Sequence, residues 1–216
     1  MAWDWSAVGD FLPRFLDGLL VTLQALVMGA LVAFALGLVW AVALRSGPVW
    51  VRGPVAVLTE FIRNTPLLVQ LFFLYYVLPE WGVTLSAMVT GVAGLGLHYS
   101  TYTAEVYRAG IDGVPKGQWE AATALSLPRT RTWGAVILPQ AVRRVAPALG
   151  NYVIAMLKDT PMIFVIGVMD MLGEARQFAS ETFLTVEAFT VVGVAFILIS
   201  YPASLLMRAL ERRLVR

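Results

Sequence analysis

From Gly18 to Leu44 the chain carries no charged side chain, and the same is true from Trp81 to Ala104 and from Ala188 to Met207. A helix that crosses the hydrocarbon core of a bilayer needs about 20 mostly apolar residues, and each of these runs is long enough. Lipid offers no partner to a backbone N–H or C=O, so a chain made of such runs must satisfy its backbone internally, as helices. Composition agrees. The chain is 59% hydrophobic and its mean hydropathy is +0.75, above the apolar share of soluble domains.

Two further segments are apolar but interrupted. Val55 to Leu78 is broken by E-F-I-R-N-T-P, Glu60 to Pro66, and Val145 to Leu172 by L-K-D-T-P, Leu157 to Pro161. Each flank alone is too short to cross, and joined each is long enough. The reading is an all-α membrane protein in one domain over 1–216. Its five expected transmembrane helices lie at about 18–44, 55–78, 82–107, 145–170 and 187–207, with a polar loop at about 110–143.

Charge orients the five spans. Arg45, Arg52, Arg108, Lys116, Arg129, Arg131, Arg143, Arg144, Arg208, Arg212, Arg213 and Arg216 fall on one side, twelve of the sixteen cations. The other side has Arg14 and Arg176 among Asp4, Asp10, Asp17, Glu80, Asp170, Glu174, Glu181 and Glu187. The N-terminus is therefore expected outside and the C-terminus in the cytoplasm. The opening M-A-W-D-W lacks the basic start of a secretory signal. Trp3 and Trp5 suit either an interfacial anchor or a frayed end.

Several function classes are excluded. There is no cysteine, His98 is the one histidine, and no spacing suggests a metal site. A net charge of +2 gives no broad basic surface for nucleic acid. No phosphate-binding G-x-x-x-x-G-K-[ST] loop occurs, so any ATP would be hydrolysed on another chain. Glu105, Asp159 and His98 lack nucleophile–base spacing, so neither an enzyme nor a catalytic residue is expected. A small channel would explain the broken helices but not the long cytoplasmic loop.

The two interruptions match: Arg63-Asn64-Thr65-Pro66 and Lys158-Asp159-Thr160-Pro161. Each lies about 15–20 Å past the cytoplasmic charges at helical rise. Pro66 frees the carbonyl of Ile62, and Pro161 that of Leu157. At that depth a free carbonyl must find a partner or line a wet cavity, and a charge must be paired or face water. One reading is a polar pathway holding Arg63, Asn64, Lys158, Asp159 and Thr160. The other is a kinked bundle whose charges pair or snorkel. Tyr99, Tyr102 and Glu105 share roughly one helical face. That stripe could hold a cation, or Glu105 could simply pair with Arg108. His98 reads as a hydrogen-bonded packing residue.

The polar loop holds a short helix over Trp119–Leu125, with Glu120 in its first turn, where the helix dipole favours an anion. Ser126-Leu127-Pro128 reads as a turn, and Pro139 as the entry to the fourth span. The small face of Ala121, Ala122 and Ala124 suits close docking of another protein, or the membrane surface alone.

This loop resembles the cytoplasmic signature of permease subunits of ATP-binding-cassette importers: E-A-A, three residues, a glycine, nine residues, I-x-L-P. Here Glu120-Ala121-Ala122 is followed at that spacing by Ser126 and by Val136-Ile137-Leu138-Pro139, with serine for glycine and valine for isoleucine. Phe61–Tyr76, Ala104–Ile111 and Leu157–Pro161 are similar to the polar amino acid permease group. Within it, the stretches Gly94–Ile111 and Pro147–Pro161 look most like ectoine and hydroxyectoine permease subunits.

The resemblance implies a multi-pass subunit of the inner (cytoplasmic) membrane that transports and is not an enzyme. It implies two ATPase subunits docked at Glu120, Ala121, Ala122, Leu125, Ser126, Leu138 and Pro139. It also implies a second permease, identical or sister, and an extracytoplasmic solute-binding protein. No cofactor belongs to this chain; ATP and Mg would bind the ATPase. The expected solute is ectoine or hydroxyectoine, with a polar amino acid such as glutamine, glutamate, histidine or arginine as the alternative.

Overall fold

A computed structural model describes residues 3–214. Arg216, counted among the cytoplasmic cations, lies outside the described residues. Nine α-helices are present among them, with no strand: α1 (Trp5–Ser46), α2 (Val49–Asn64), α3 (Leu67–Phe72), α4 (Ala87–Asp112), α5 (Lys116–Ala124), α6 (Arg129–Arg131), α7 (Leu138–Asp159), α8 (Met171–Thr182) and α9 (Thr185–Leu214). π-helical turns follow α3 (Phe73–Val77) and α6 (Thr132–Ile137), and a 3-10 segment follows α7 (Thr160–Ile166).

Three helical segments are long and apolar enough to cross a membrane: Trp5–Ser46, Arg129–Ile166 and Thr185–Leu214. A fourth counts if α2 and the helix after its break form one span. Helix α4 has 26 residues, about 39 Å at 1.5 Å per residue. Its inward face carries Thr90, Ser100, Thr101 and Thr103, all buried, which makes it less apolar than the other three.

The element bounds differ from the expected spans and runs in four places. Helix α1 starts at Trp5 because the Asp4 carboxylate accepts from the Ser6 N–H at 2.8 Å and caps it. The third run starts at Ala87, because Gly82 is left-handed (φ 83°) and ends the preceding turn, and the Ser86 hydroxyl then caps α4. The end of the fourth run is a separate helix, α8, started by Asp170, whose Oδ1 accepts from the Gly173 N–H at 2.9 Å. The flanks of Arg63–Pro66 do not join into one gently kinked helix: α2 and the following helix meet at 106°.

Packing centres on α1 against α4. Between apolar helices in lipid, close approach and interhelical hydrogen bonds do the holding. A side chain at Gly37 would collide with Thr103, and one at Gly96 with Val32. At the same crossing Thr103 Oγ1 donates to the Ala33 carbonyl at 2.8 Å, and Trp40 Nε1 donates to Ser100 Oγ at 3.0 Å. The central core joins Ala25, Ala33, Leu71, Leu95, Tyr99, Met156 and Ile163. A second cluster, Phe11, Phe15, Met171, Phe178 and Val192, ties α8 to the first turns of α1 and α9. The Asp4 N–H also donates to buried Glu187 at 3.2 Å. Outward faces remain apolar, with Leu31, Ile197, Leu198 and Leu206 more than 60% exposed, as lipid contact requires.

Candidate functional site

The polar residues of the broken segments form three groups. The first lies between the breaks. Tyr99 on α4 donates its hydroxyl to Asp159 Oδ2 on α7 at 2.6 Å, a short charge-assisted bond. Around it stand Tyr102 and Tyr152, with ring centroids 5.6 Å apart, and His98, 5.3 Å from Tyr102. Tyr99 and Tyr102 share a face as expected, 6.0 Å apart. Thr160 is fully buried and donates to the Leu157 carbonyl at 2.7 Å. That is the carbonyl Pro161 frees.

The second group lies further along α4, toward its C-terminal end. Glu105 Oε1 accepts from Arg63 at 3.3 Å and from Arg108 at 3.0 Å. Arg63 also donates to the Thr101 carbonyl at 3.1 Å, and its guanidinium lies 5.7 Å from the centre of the Tyr102 ring. Arg63, Asn64, Glu60, Glu105 and Arg108 line a cavity of about 260 Å³. Arg63 therefore links the tyrosine cluster to this cavity, and Asn64 is exposed at its edge.

Lys158 forms the third group alone. It is exposed in a groove with Pro161, Phe196, Ile197 and Ser200. It faces α9, whereas Asp159 faces α4. Adjacent helix positions differ by 100°, which separates them.

Sequence reasoning missed Gln70 and Tyr152. Gln70 is the lone polar residue in L-L-V-Q-L-F-F, and its Nε2 donates to the carbonyls of Ile62 at 2.8 Å and Thr65 at 2.9 Å. It thus satisfies the carbonyl that Pro66 frees. Tyr152 stands two turns before Asp159 on one helical face, a spacing that was readable.

The loop after α4 is the short helix α5 packed on the start of the continuous Arg129–Ile166 segment. Trp119 meets Trp133 edge to face at 5.2 Å, over a small core of Val114, Ile137 and Ala141. Helix α5 starts at Lys116, after Pro115, so Glu120 lies in mid-helix, beyond the first turn where the dipole acts. Glu120, Ala121, Ala124, Leu125 and Ser126 point outward, with Leu125 72% exposed. Ala122 is buried, so the small outer face is Ala121 and Ala124. Leu138 and Pro139 are exposed at the start of α7. Ser126 takes the left-handed conformation (φ 53°). Leu127 N–H reaches the Ala122 carbonyl at 3.0 Å, the closing bond of a glycine-type helix end.

The chain matches the family model of binding-protein-dependent transport system inner membrane components over residues 14–216. It is 48% identical over 202 residues to a probable amino-acid ABC transporter permease, y4tG, of Sinorhizobium fredii, covering 94% of this chain and 87% of that protein. It is 34% identical over 217 residues to the glutamine transport system permease GlnP of Escherichia coli, covering 99% of each. A solved amino acid ABC transporter with histidines is similar at a TM-score of 0.92 and 34% identity, covering 99% of this chain and 100% of that one.

Proposed function

The chain belongs to the binding-protein-dependent transport system inner membrane components, and on that premise we propose that the solute it carries is a polar amino acid of the glutamine type. It is an amino-acid permease subunit of an ABC importer, an inner-membrane transport component rather than an enzyme, with ATP hydrolysed on a separate chain. The ectoine expected from motif resemblance finds no support in these relatives; the polar amino acid alternative does.

The observation that carries the solute reading is the Tyr99–Asp159 bond inside the tyrosine cluster. Asp159 can release Tyr99 and take an ammonium group, and the tyrosine faces favour the same cation. Arg63, whose guanidinium lies over the Tyr102 ring, offers a partner for a carboxylate at the edge of the same cluster. A zwitterion fits this order of charges.

The five-span topology, with α4 as the span beyond those that pass on length and apolarity and with the N-terminus outside, accounts for the placement of the cations. A second permease covers the α9 side of Lys158, since a lone cation is costly at that depth. Two ATPase subunits dock on the outward face of α5, with ATP and Mg on their side. A solute-binding protein delivers from the acidic side.

The test is uptake of labelled glutamine by the complex in proteoliposomes, in competition with glutamate, arginine, histidine, ectoine and hydroxyectoine. Glutamine or a polar amino acid is expected to compete best; competition by ectoine alone would return the solute to that class. Asp159→Asn keeps an acceptor for Tyr99 but loses the charge. It is expected to lower uptake about 10–100-fold, the worth of a charge-assisted bond, while the complex still assembles. Unchanged uptake would remove Asp159 from the path.

A further inference from the structure

His98 is the only histidine of the chain, and the transport reading gives it no task. Its Nδ1 lies 3.0 Å from Nε2 of Gln70. Gln70 is only 9% exposed. The same Nε2 donates to the carbonyls of Ile62, in the last turn of α2, and Thr65, at the break itself, and Oε1 is buried without a partner. Carbonyls only accept, so the amide nitrogen must face the break. An amide nitrogen cannot accept, and its two hydrogens serve three neighbours, so one is shared between a carbonyl and Nδ1, which must be an acceptor. His98 is then a neutral ring with its proton on Nε2.

We propose that Gln70 is a positioning residue that pins the bend between α2 and α3, and that His98 makes the pin sensitive to protons. The inference rests on the proposed solute site, which the α2 end meets through Arg63 over the Tyr102 ring. A proton on Nδ1 sets N–H against N–H at hydrogen-bond distance. The amide turns over, Oε1 accepts from Nδ1–H, and Nε2 leaves the carbonyls of Ile62 and Thr65. The unpartnered Oε1 is the atom that makes this exchange available. The break then loses two of its hydrogen bonds, and the α2 end that carries Arg63 loosens over Tyr102 and Glu105.

The groups around the ring are few. Tyr99 and Tyr102 flank it on α4, with ring centroids 5.5 and 5.3 Å away. Gln70 faces it from α3. From α7, Asp159 is held on Tyr99 and Tyr152 stacks on Tyr102. From α2, Arg63 lies over the Tyr102 ring. Asp159 and Arg63 are the charged groups at this cluster among the described residues.

Two measurements test the pin. In a complex where only this chain carries ¹⁵N-histidine, the ring at pH 7.5 is expected to show an unprotonated Nδ1 and a protonated Nε2. A proton on Nδ1 at that pH overturns the proposal. Uptake is then followed from pH 7.5 to 5. Wild type is expected to lose uptake as the ring takes up its proton, about tenfold one unit below the midpoint that the nitrogen spectrum itself reads. His98→Asn puts a non-titrating amide oxygen near the place of Nδ1. It is expected to transport at pH 7.5 and to lose this acid limb, and an acid limb equal to that of wild type overturns the proposal. Should the variant not assemble, the nitrogen spectrum of the wild type decides alone. If no amino acid is taken up at all, the solute reading fails, and the spectrum still reports on the pin.

Discussion

The two Thr-Pro breaks share a sequence pattern and fold differently. At the first, Thr65 (φ −99°, ψ 130°) and Pro66 (φ −57°, ψ 138°) are both extended, and the chain turns through 106°. At the second, Thr160 stays helical (φ −53°, ψ −35°), and α7 only tightens into a 3-10 segment. Proline disfavours a helical residue before it. Thr65 follows that rule and Thr160 does not. What separates them is who takes the freed carbonyl. Leu157 is answered locally, by the Thr160 hydroxyl, so the chain can continue. Ile62 is answered by Gln70, eight residues on, which only a sharp bend brings within reach. A proline decides that a carbonyl is left over; the partner decides the path of the chain.

Removing each partner sharpens this contrast. Gln70→Leu leaves the Thr65 carbonyl without its donor and the Ile62 carbonyl with only the 3.2 Å bond from the Thr65 N–H. A loss of about 2 kcal/mol is expected, since a buried polar group left unsatisfied costs about 1–3 kcal/mol. It is read as a lower thermal midpoint of the purified complex and a large loss of uptake. Thr160→Val strips one carbonyl on a helix that already continues. Its expected cost is about 1 kcal/mol, the net worth of a typical hydrogen bond. Equal costs would mean that the bend does not depend on Gln70.

The next contrast is between the ion pairs and the tyrosine cluster. The Glu105 side chain is 45% exposed and shared by two arginines. Screened pairs of this kind are worth about 0.2–1 kcal/mol. Glu105→Gln is therefore expected to cost about threefold in uptake with no change in assembly, well short of the effect of Asp159→Asn. A loss as large as that of Asp159→Asn would place Glu105 in contact with the solute.

Helical class and apolar spans were legible because lipid leaves no other solution for charge-free runs of that length. The freed carbonyls were legible too, because a proline's debt is fixed by covalent geometry. The direction of the chain at Pro66 was not, since it depends on Gln70, a contact across eight residues that periodicity does not encode. Helix α8 was hidden because its start is a side-chain cap at Asp170 and not a change in composition. The fates of Lys158 and Asp159 were half legible: adjacency said that they diverge, but only packing against α4 and α9 assigns the sides. In the loop, the E-A-A spacing was plain, while the inward turn of Ala122 follows from a helix that begins at Lys116.

Ser126 gives the smallest and most local test. Where the family signature has glycine, this chain keeps the left-handed turn with serine. A side chain there costs about 1–2 kcal/mol per residue in a regular left-handed helix, less at a single polar residue in a turn. Glycine would relieve that cost but lose more chain entropy on folding, about 0.5–1 kcal/mol. Ser126→Gly is therefore expected to stabilise the complex by only about 0.5 kcal/mol and to leave ATP turnover unchanged, because the Leu127-to-Ala122 bond already holds the turn. Ser126→Val, with a β-branched side chain, is expected to break it and uncouple ATP turnover from uptake. If Ser126→Val retains coupling, the left-handed end of α5 has no part in the proposed docking of the ATPase.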